Sequence, residues 1–477
     1  MRLRSARWIC ATFFACGCGI VTANNRELLD ARTQLNNGDF SGALASVDSK
    51  RRDDLCAILD RAVIYETVGQ VPESNREFDR GEAKIKEYEN RAVVSATEAA
   101  TGVGSLLVND KMLEYQGEGY EKVLLHAFKA RNYLLLGKEE DARVEIRNAN
   151  MRQDEERKRH QDEINKAKAE AKNKKVDLGT FSKEMDKQFA ASSEVLKRLD
   201  NVYQNPFATY LSATVYELNG EADDAFIDLK HAYEMTHSPT VAADLVRVAG
   251  KAHRADELKS LGLQPHKDKG STSSAPAGNT LIFIDNGLAP ERVEIKFPIP
   301  EPDTVLFAAM PMTKPMPTDL AEVEVLRSSG EVVGKTEVMV DIEAMAVRNL
   351  HDRYPGLLLR QAIRLAGKAA MAHEAKAQEG VAGALISTAF NLVTEQADLR
   401  GWYALPRSIH VARVNLPDGE KEVRLRLLDP ASRAIQEVTA PVLSAGPHLR
   451  IVSARYINGH VTLPSIHEQV AADGRAM

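Results

Sequence analysis

The sequence predicts a multidomain chain of α plus β class: an N-terminal all-α domain of repeated helical hairpins, then a β-sandwich-like domain carrying a helical insertion. Three observations predict it. A small-residue pattern recurs four times in the first half, a polar stretch free of large apolar side chains interrupts the chain near residue 270, and beyond it the hydrophobic period changes from helical to alternating.

The recurring pattern is read by aligning Gly38, Gly69, Gly137 and Gly220. Seven residues before each stands Ala31, Ala62, Ala130 or Ala213, and five after it stands Ala43, Ser74, Ala142 or Ala225. Four before are Gln34, Tyr65, Tyr133 and Tyr216; nine after are Val47, Phe78, Ile146 and Leu229. A small residue also recurs twelve after the glycine at Gly81, Ala149 and Ala232, with Lys50 the exception. Small side chains let two helices cross closely, an aromatic fills the groove beside them, and glycine takes the positive φ that reverses the chain. This is the arrangement of a tetratricopeptide-like hairpin, which cannot cover its own apolar face and therefore stacks on copies of itself. The glycine spacings of 31, 68 and 83 residues make the array interrupted, and 68 leaves room for a degenerate hairpin with Val103 where its glycine would fall.

Ahead of the repeats, Arg2, Arg4 and Arg7 precede the apolar run WICATFFACGCGIVTA, and the first acid is Glu27. Residues 1–23 therefore predict an export signal, too short to span a bilayer. Cys18 after Ala15, Cys16 and Gly17 resembles a bacterial lipobox, with Cys16 the alternative lipidation site. Cleavage before Asn24, after the small pair Val21 and Ala23, is the competing expectation and would release a soluble periplasmic or secreted protein. Gly19 in place of an acid after the cysteine favours the outer membrane. Removing the signal leaves Cys56 as the only internal thiol, set in the apolar helical stretch DDLCAILDRA, so neither a disulfide framework nor a zinc cluster is available. Three of the 62 bases and none of the 68 acids lie in the signal, so the mature chain carries a net charge of −9. That balance, without a basic aromatic groove, excludes nucleic acid as a partner.

Residues 24–263 read as helical throughout. The segment from about 141 to 175 is mostly charged, and its alternating acids and bases support a long solvated helix extending the third hairpin. Residues 264–279, containing HKDKGSTSSAPAGN, are the linker. From 280 to 465, stretches such as NTLIFIDN, EVEVLRSSGEVVGK and HVARVNLPDGEKEVRLRLL predict roughly eight antiparallel strands joined by hairpins. Helices interrupt them at 342–396: one expected to start at Pro355 and reach Ala377, and a second after Glu379 and Gly380 with an apolar stripe of Leu385, Ile386, Ala389, Phe390 and Val393. Residues 466–477 are a tail.

Two strings, YQGEGYEKVLLHAFKARNYLLLGKEEDARVEIRNANMRQ at 115–153 and EQADLRGWYALPRSIHVARVNLPDGEKEV at 395–423, resemble a family of bacterial envelope lipoproteins with tetratricopeptide-like repeats. Members are often encoded beside penicillin-binding-protein activator lipoproteins, which implies a role at the cell envelope. In the first string Glu121 lies in the first turn of a helix, where the macrodipole favours an acid, with His126 further along it and Arg147 and Asn150 on its partner helix. Tyr120, Glu121, His126, Arg147, Asn150, Arg400 and Trp402 are the candidate partner-binding residues, with a hydrogen-bonded network between the helices as the other reading of the first five. The spacing of Glu118, Glu121 and His126 does not reproduce a helical HExxH site, so neither a metal nor another cofactor is expected. Trp402, at a helix-to-strand junction, reads first as a packing anchor.

No GxSxG, no cysteine with a partnering histidine and no metal motif stands in the chain. The expectation is therefore a noncatalytic, membrane-tethered scaffold facing the periplasm, binding envelope proteins through its repeat surface. An envelope hydrolase acting on cell-wall material, or a lipid-interacting protein using the helical insertion, are the alternatives.

Overall fold

The computed structural model describes residues 27–48, 53–99, 114–174, 192–199, 202–264, 278–301 and 304–464. The lipidation candidates Cys18 and Cys16, Val103, most of the linker and the tail lie outside the described residues. So do the side chains of residues 381–394 that carry the predicted apolar stripe.

The N-terminal region is helical, and its turns follow from the glycine column. Helices α1 (27–36) and α2 (Phe40–Asp48), α3 (Leu55–Thr67) and α4 (Val71–Ala99), α5 (Gly119–Leu135) and α6 (Glu139–Lys174), and α8 (Pro206–Leu218) and α9 (Ala222–Thr236) are joined two by two across Gly38, Gly69, Gly137 and Gly220. The four glycines have φ of +76°, +80°, +68° and +75°. Each turn closes with the same two backbone bonds: the glycine N–H reaches the carbonyl three residues back, and the next N–H reaches the carbonyl of Gln34, Tyr65, Tyr133 or Tyr216 at 2.8–2.9 Å. This is the Schellman ending, in which the left-handed residue must be one without a Cβ penalty. The alanine columns on either side are at most 1% exposed, which is what close crossing of the paired helices demands. A fifth hairpin, α10 (Pro239–Lys251) with α11 (Ala255–Ser260), turns on His253 at φ +55°, and Arg254 N–H bonds Ala249 O at 2.9 Å in the same pattern. Proline at the first position of α8 and α10, behind the caps Asn205 and Ser238, fixes where those helices start. A single turn, α7 (Ser193–Leu196), stands between α6 and α8.

The C-terminal region is built on twelve described strands, not eight. A six-stranded sheet holds β1 (Thr280–Asn286), β6 (Glu337–Asp341), β7 (Ser408–Val414), β10 (Leu443–Ser444), β11 (Arg450–Ile457) and β12 (His460–Thr462), with β1 between β11 and β7. The β1–β11 pair is parallel, which a chain of antiparallel hairpins does not contain. A four-stranded antiparallel sheet has the order β5 (Val332–Lys335), β4 (Glu322–Leu326), β8 (Glu422–Leu428), β9 (Ala434–Pro441). A separate two-stranded ribbon pairs β2 (Glu291–Glu301) with β3 (Thr304–Lys314).

Alternation along β1 explains how the layers meet. Ile282 and Ile284 pack with Val323, Val325, Leu425 and Leu427 between the two sheets, while Leu281 and Phe283 belong to the core of the helical hairpins. Every residue of β1 is buried. The six-stranded sheet is thus a middle layer, with the second sheet on one face and the helical array on the other, and the helical and β regions share one hydrophobic core.

The helical insertion starts earlier than its proline suggests. Helix α12 runs Ile342–Thr394 with Pro355 inside it and one break at Gly380, φ +62° and ψ −142°. Asp341 supplies the start instead, its carboxylate accepting from Ala344 N at 2.9 Å. After the break the chain returns, because Glu395 accepts from Gln361 at 2.9 Å and from Lys368 at 2.6 Å on the outgoing leg. The ribbon lies along that leg: Met310 and Met312 meet Leu350, Tyr354 and Leu358, and Leu306 and Ala308 meet Leu365. Helix α6 spans the length expected of the charged helix, but it is not wholly solvated. Glu156 is buried, and His160 lies 3.4 Å from Asp352 of α12.

Candidate functional site

The face lined by the first helices of the hairpins is where a helical array of this kind can hold an extended segment. Here that face is filled by the chain itself. Trp402 enters between Phe78 and Phe128, edge-on to both rings with centroids 5.8 and 6.0 Å away, and is 2% exposed. Phe207 continues the row to Phe283 of β1, perpendicular at 5.9 Å. Around this aromatic anchor the backbone of residues 400–405 is bound atom by atom. Arg292 donates to Arg400 O at 2.8 Å, Glu121 accepts from Trp402 N at 3.1 Å and Arg32 donates to Tyr403 O at 3.1 Å. Asp60 accepts from Ala404 N at 2.7 Å, and Arg455 donates to Ala404 O at 2.5 Å. Three of these five side chains, Arg32, Asp60 and Glu121, stand on first helices.

Charged groups buried beside the segment close the junction. Arg131, 1% exposed, forks onto Asp285 of β1 at 2.7 and 2.8 Å and onto Glu66 at 2.6 and 3.0 Å. Its guanidinium also lies over the Phe128 ring, 4.6 Å from the centroid. Arg413 of β7 reaches Glu217 at 3.1 Å and Asp244 at 3.2 Å, and Tyr210 donates to Asp244 at 2.7 Å. Removal from water acts on these groups directly. Burial pushes Asp60 up to about 8 although the Ala404 amide and Arg32 pull the other way, and it raises Glu66 against Arg131. It lowers Arg455 to about 10. Perturbed carboxylates can mark catalytic sites, but these are spent on backbone amides and guanidinium groups of their own chain.

The string at 115–122 forms the second half of the junction. Glu121 accepts from Tyr115 OH at 2.5 Å and from Glu118 N at 2.9 Å, tying the approach to α5 back on its first turn. Burial raises Glu121, and the adjacent Glu118 carboxylate adds to it. Glu118 is held well below the usual carboxylate range despite burial, because Arg353, Arg292 and Asn349 surround it. It thereby joins α5, β2 and α12, with Arg292 at 2.6 Å and Asn349 at 2.9 Å. Beside it opens a cleft of about 50 Å³ lined by Lys122, Glu156, Arg159 and His160 among others. Lys122 is already bonded to Glu89 at 2.8 Å and Glu156 at 3.0 Å.

The predicted partner-binding residues are therefore mostly internal. Tyr120, Glu121, His126 and Trp402 are buried. Arg400 is paired with Asp398 at 2.8 Å, and Asn150 donates to Ser212 at 3.1 Å. Arg147 alone of the seven is exposed. A buried side chain that shapes the junction is not offered to a partner, so the assignment of Tyr120, Glu121, His126 and Trp402 to a contact patch is corrected. Glu118, Glu121 and His126 do not converge. His126 instead lies 2.7 Å from Glu145, and with Glu82 these two bring possible ligand atoms within 4.8 Å of one another. Lys129 already places its ammonium in that set, 2.8 Å from Glu145, 3.2 Å from Glu82 and 2.8 Å from Asp79. The repeat-packing residues Ala31, Ala62, Ala130 and Ala213 sit in the core, and Tyr65, Tyr133 and Tyr216 are half-buried beside their turns. Cys56 is buried at 1% exposure, and burial pushes its thiol well up. Sequence reasoning missed Arg32, Asp60, Arg131, Asp285 and Arg455. The signal available was a charged residue inside an otherwise apolar run, as in LCAILDRAVIYE and LIFIDN.

No protein-family model matches the chain, and no match is found among curated proteins. Among solved structures, one described as the crystal structure of MamA protein aligns at a TM-score of 0.28 and 10% identity, covering 50% of this chain and 86% of that one. That overlap is too slight to fix a relationship of fold.

Proposed function

We propose that the protein is a noncatalytic scaffold of the bacterial cell envelope, tethered to the outer membrane through Cys18, or alternatively Cys16, and facing the periplasm. In this reading it is an envelope lipoprotein with tetratricopeptide-like repeats that binds envelope proteins in cell-wall or envelope assembly. One observation carries the noncatalytic part. The buried acids Asp60, Glu66 and Glu121, each raised by burial, are turned onto the chain's own backbone and guanidinium groups at the junction, where they fix two regions as one framework. The resemblance of residues 115–153 and 395–423 to envelope lipoproteins, together with the lipobox-like run ending at Cys18, supports the location. Because the inner face of the array is taken by residues 400–405, partner contacts fall to the outer surface.

Crosslinking in the envelope, with partners identified from the linked species, is the primary test. Specific protein partners are expected. Finding none, while the purified mature chain turns over cell-wall material, would replace the scaffold with a hydrolase. Fractionation of Cys18→Ala and Cys16→Ala tests the tether: if both variants stay with the membrane as the wild type does, lipidation is not what anchors the chain.

A further inference from the structure

The outer surface of the third and fourth hairpins carries a second repetition that packing inside a hairpin does not explain. Seven residues after the turn glycines stand Val144 on α6 and Ile227 on α9, 55% and 39% exposed. Met151, two turns beyond Val144 on α6, is 55% exposed as well. Three and four residues after the same glycines stand acids in both hairpins, Glu140 and Asp141, Asp223 and Asp224. Ten after stand bases, Arg147 and Lys230. Along each helix the order is thus acid, apolar, base, and the Arg143–Glu221 ion pair ties α6 to the residue that caps the start of α9. The acids have a local cause, since each lies in the first turn of its helix. The exposed valine and isoleucine have none.

We infer that this face is a homodimer interface, the place where a second copy of the chain seats. The charge order selects that occupant. Facing a copy turned about a two-fold axis parallel to the rows, the acidic row of each lies over the basic row of the other, and the apolar rows meet between them. The same surface on both partners is then complementary to itself, with α6 and α9 of one copy antiparallel to those of the other. Asp223 and Lys230 also reach Arg254 at 2.8 Å and Glu257 at 3.7 Å within the chain, so Glu140, Asp141, Asp224 and Arg147 carry most of the complementarity. The inference does not depend on the envelope assignment, and its failure leaves that reading standing.

Sedimentation equilibrium of the purified mature chain tests it. A dimer mass is expected at about 100 μM, a concentration at which a micromolar contact is filled. Val144→Asp with Ile227→Asp is expected to give monomer, with unchanged helical circular dichroism because both positions are exposed. Arg147→Glu alone is expected to weaken association at least tenfold. Adding Glu140→Lys and Asp141→Lys to it is expected to restore the dimer, an outcome that damage to the fold cannot produce. A wild-type chain that remains monomeric over this range overturns the inference, as does a dimer that survives the two aspartates or that charge reversal leaves unchanged.

Discussion

The first and second helices of the hairpins are joined by identical turns, yet they live in different surroundings. Along α3 every residue but Tyr65 is buried, and along α5 only Gly119 and Tyr133 are not, so that Asp60, Glu66, Glu121, Lys122 and Arg131 are enclosed with the apolar side chains. On α9 just Ala225, Phe226, Leu229 and Ala232 are buried, and the rest is half-buried or exposed. Helices α3 and α5 are covered on both sides, by their partners and by the rest of the core, and α9 on one. What the difference teaches is that a repeat pattern reports how helices cross, not which of their faces remains free.

The largest effect should come from the charged centre of the covered side. Arg131→Met leaves Glu66 and Asp285 buried without their cation and is expected to cost about 3 to 5 kcal/mol in denaturant unfolding. A loss below about 1 kcal/mol would mean that the two regions are not held together there. Trp402→Ala should cost about 3 kcal/mol, and the helical and β signals should still fall in a single transition. Two transitions, with only the later one shifted, would show two independent cores.

Asp60 gives a pH test of the same side. Its folded value of about 8 lies above the ordinary aspartate value of 3.8, so the folded chain keeps a proton that the unfolded chain releases. The stability it contributes is full below about 4 and is lost as pH rises through about 8. Asp60→Asn should therefore flatten the decline in thermal midpoint between pH 5 and pH 9, by the equivalent of about 4 kcal/mol. An unaltered slope would place the titrating group elsewhere.

The turns are expected to respond unequally. Alanine at Gly137 meets only the positive-φ penalty of about 1 kcal/mol, because its surroundings are open. Alanine at Gly38 must also displace the ring of His460, whose atoms lie 2.5–2.7 Å from the new Cβ position, so thermal scans should show the larger loss at Gly38. Equal losses would separate the first turn from the β11–β12 hairpin. Smallest of all, Val144→Asp on the outer side should change stability by less than about 0.5 kcal/mol.

The turns were legible because their cause is local: a glycine in the left-handed region is demanded by backbone bonds three and five residues apart. The fifth turn escaped because His253 adopts that region without being glycine. Pro355 misled for a related reason. Proline is favoured at a helix start, but the capping carboxylate of Asp341 had already begun the helix upstream. At the candidate site Trp402 read correctly as an anchor in character, though not in place. Its rings of contact, Phe78 and Phe128, are hundreds of positions away, and no periodicity encodes that meeting. The doubly buried β1 left a trace in the unbroken run LIFI, which is the mark of a strand covered on both faces.

The parallel pairing of β1 with β11 has a consequence for the order of assembly. A ribosome delivers the hairpins first, and the residues that cover their inner face last: Arg32 waits 371 positions for Tyr403, and Thr67 waits 388 for Arg455. Until Arg450–Ile457 has emerged, the middle sheet lacks a central strand and the array stays open with its aromatic row uncovered. Such long loops must close before any contact rewards them. Newly made chains should therefore pass through a slow, sticky stage, and a truncation before Arg450 should yield aggregate instead of a smaller folded protein.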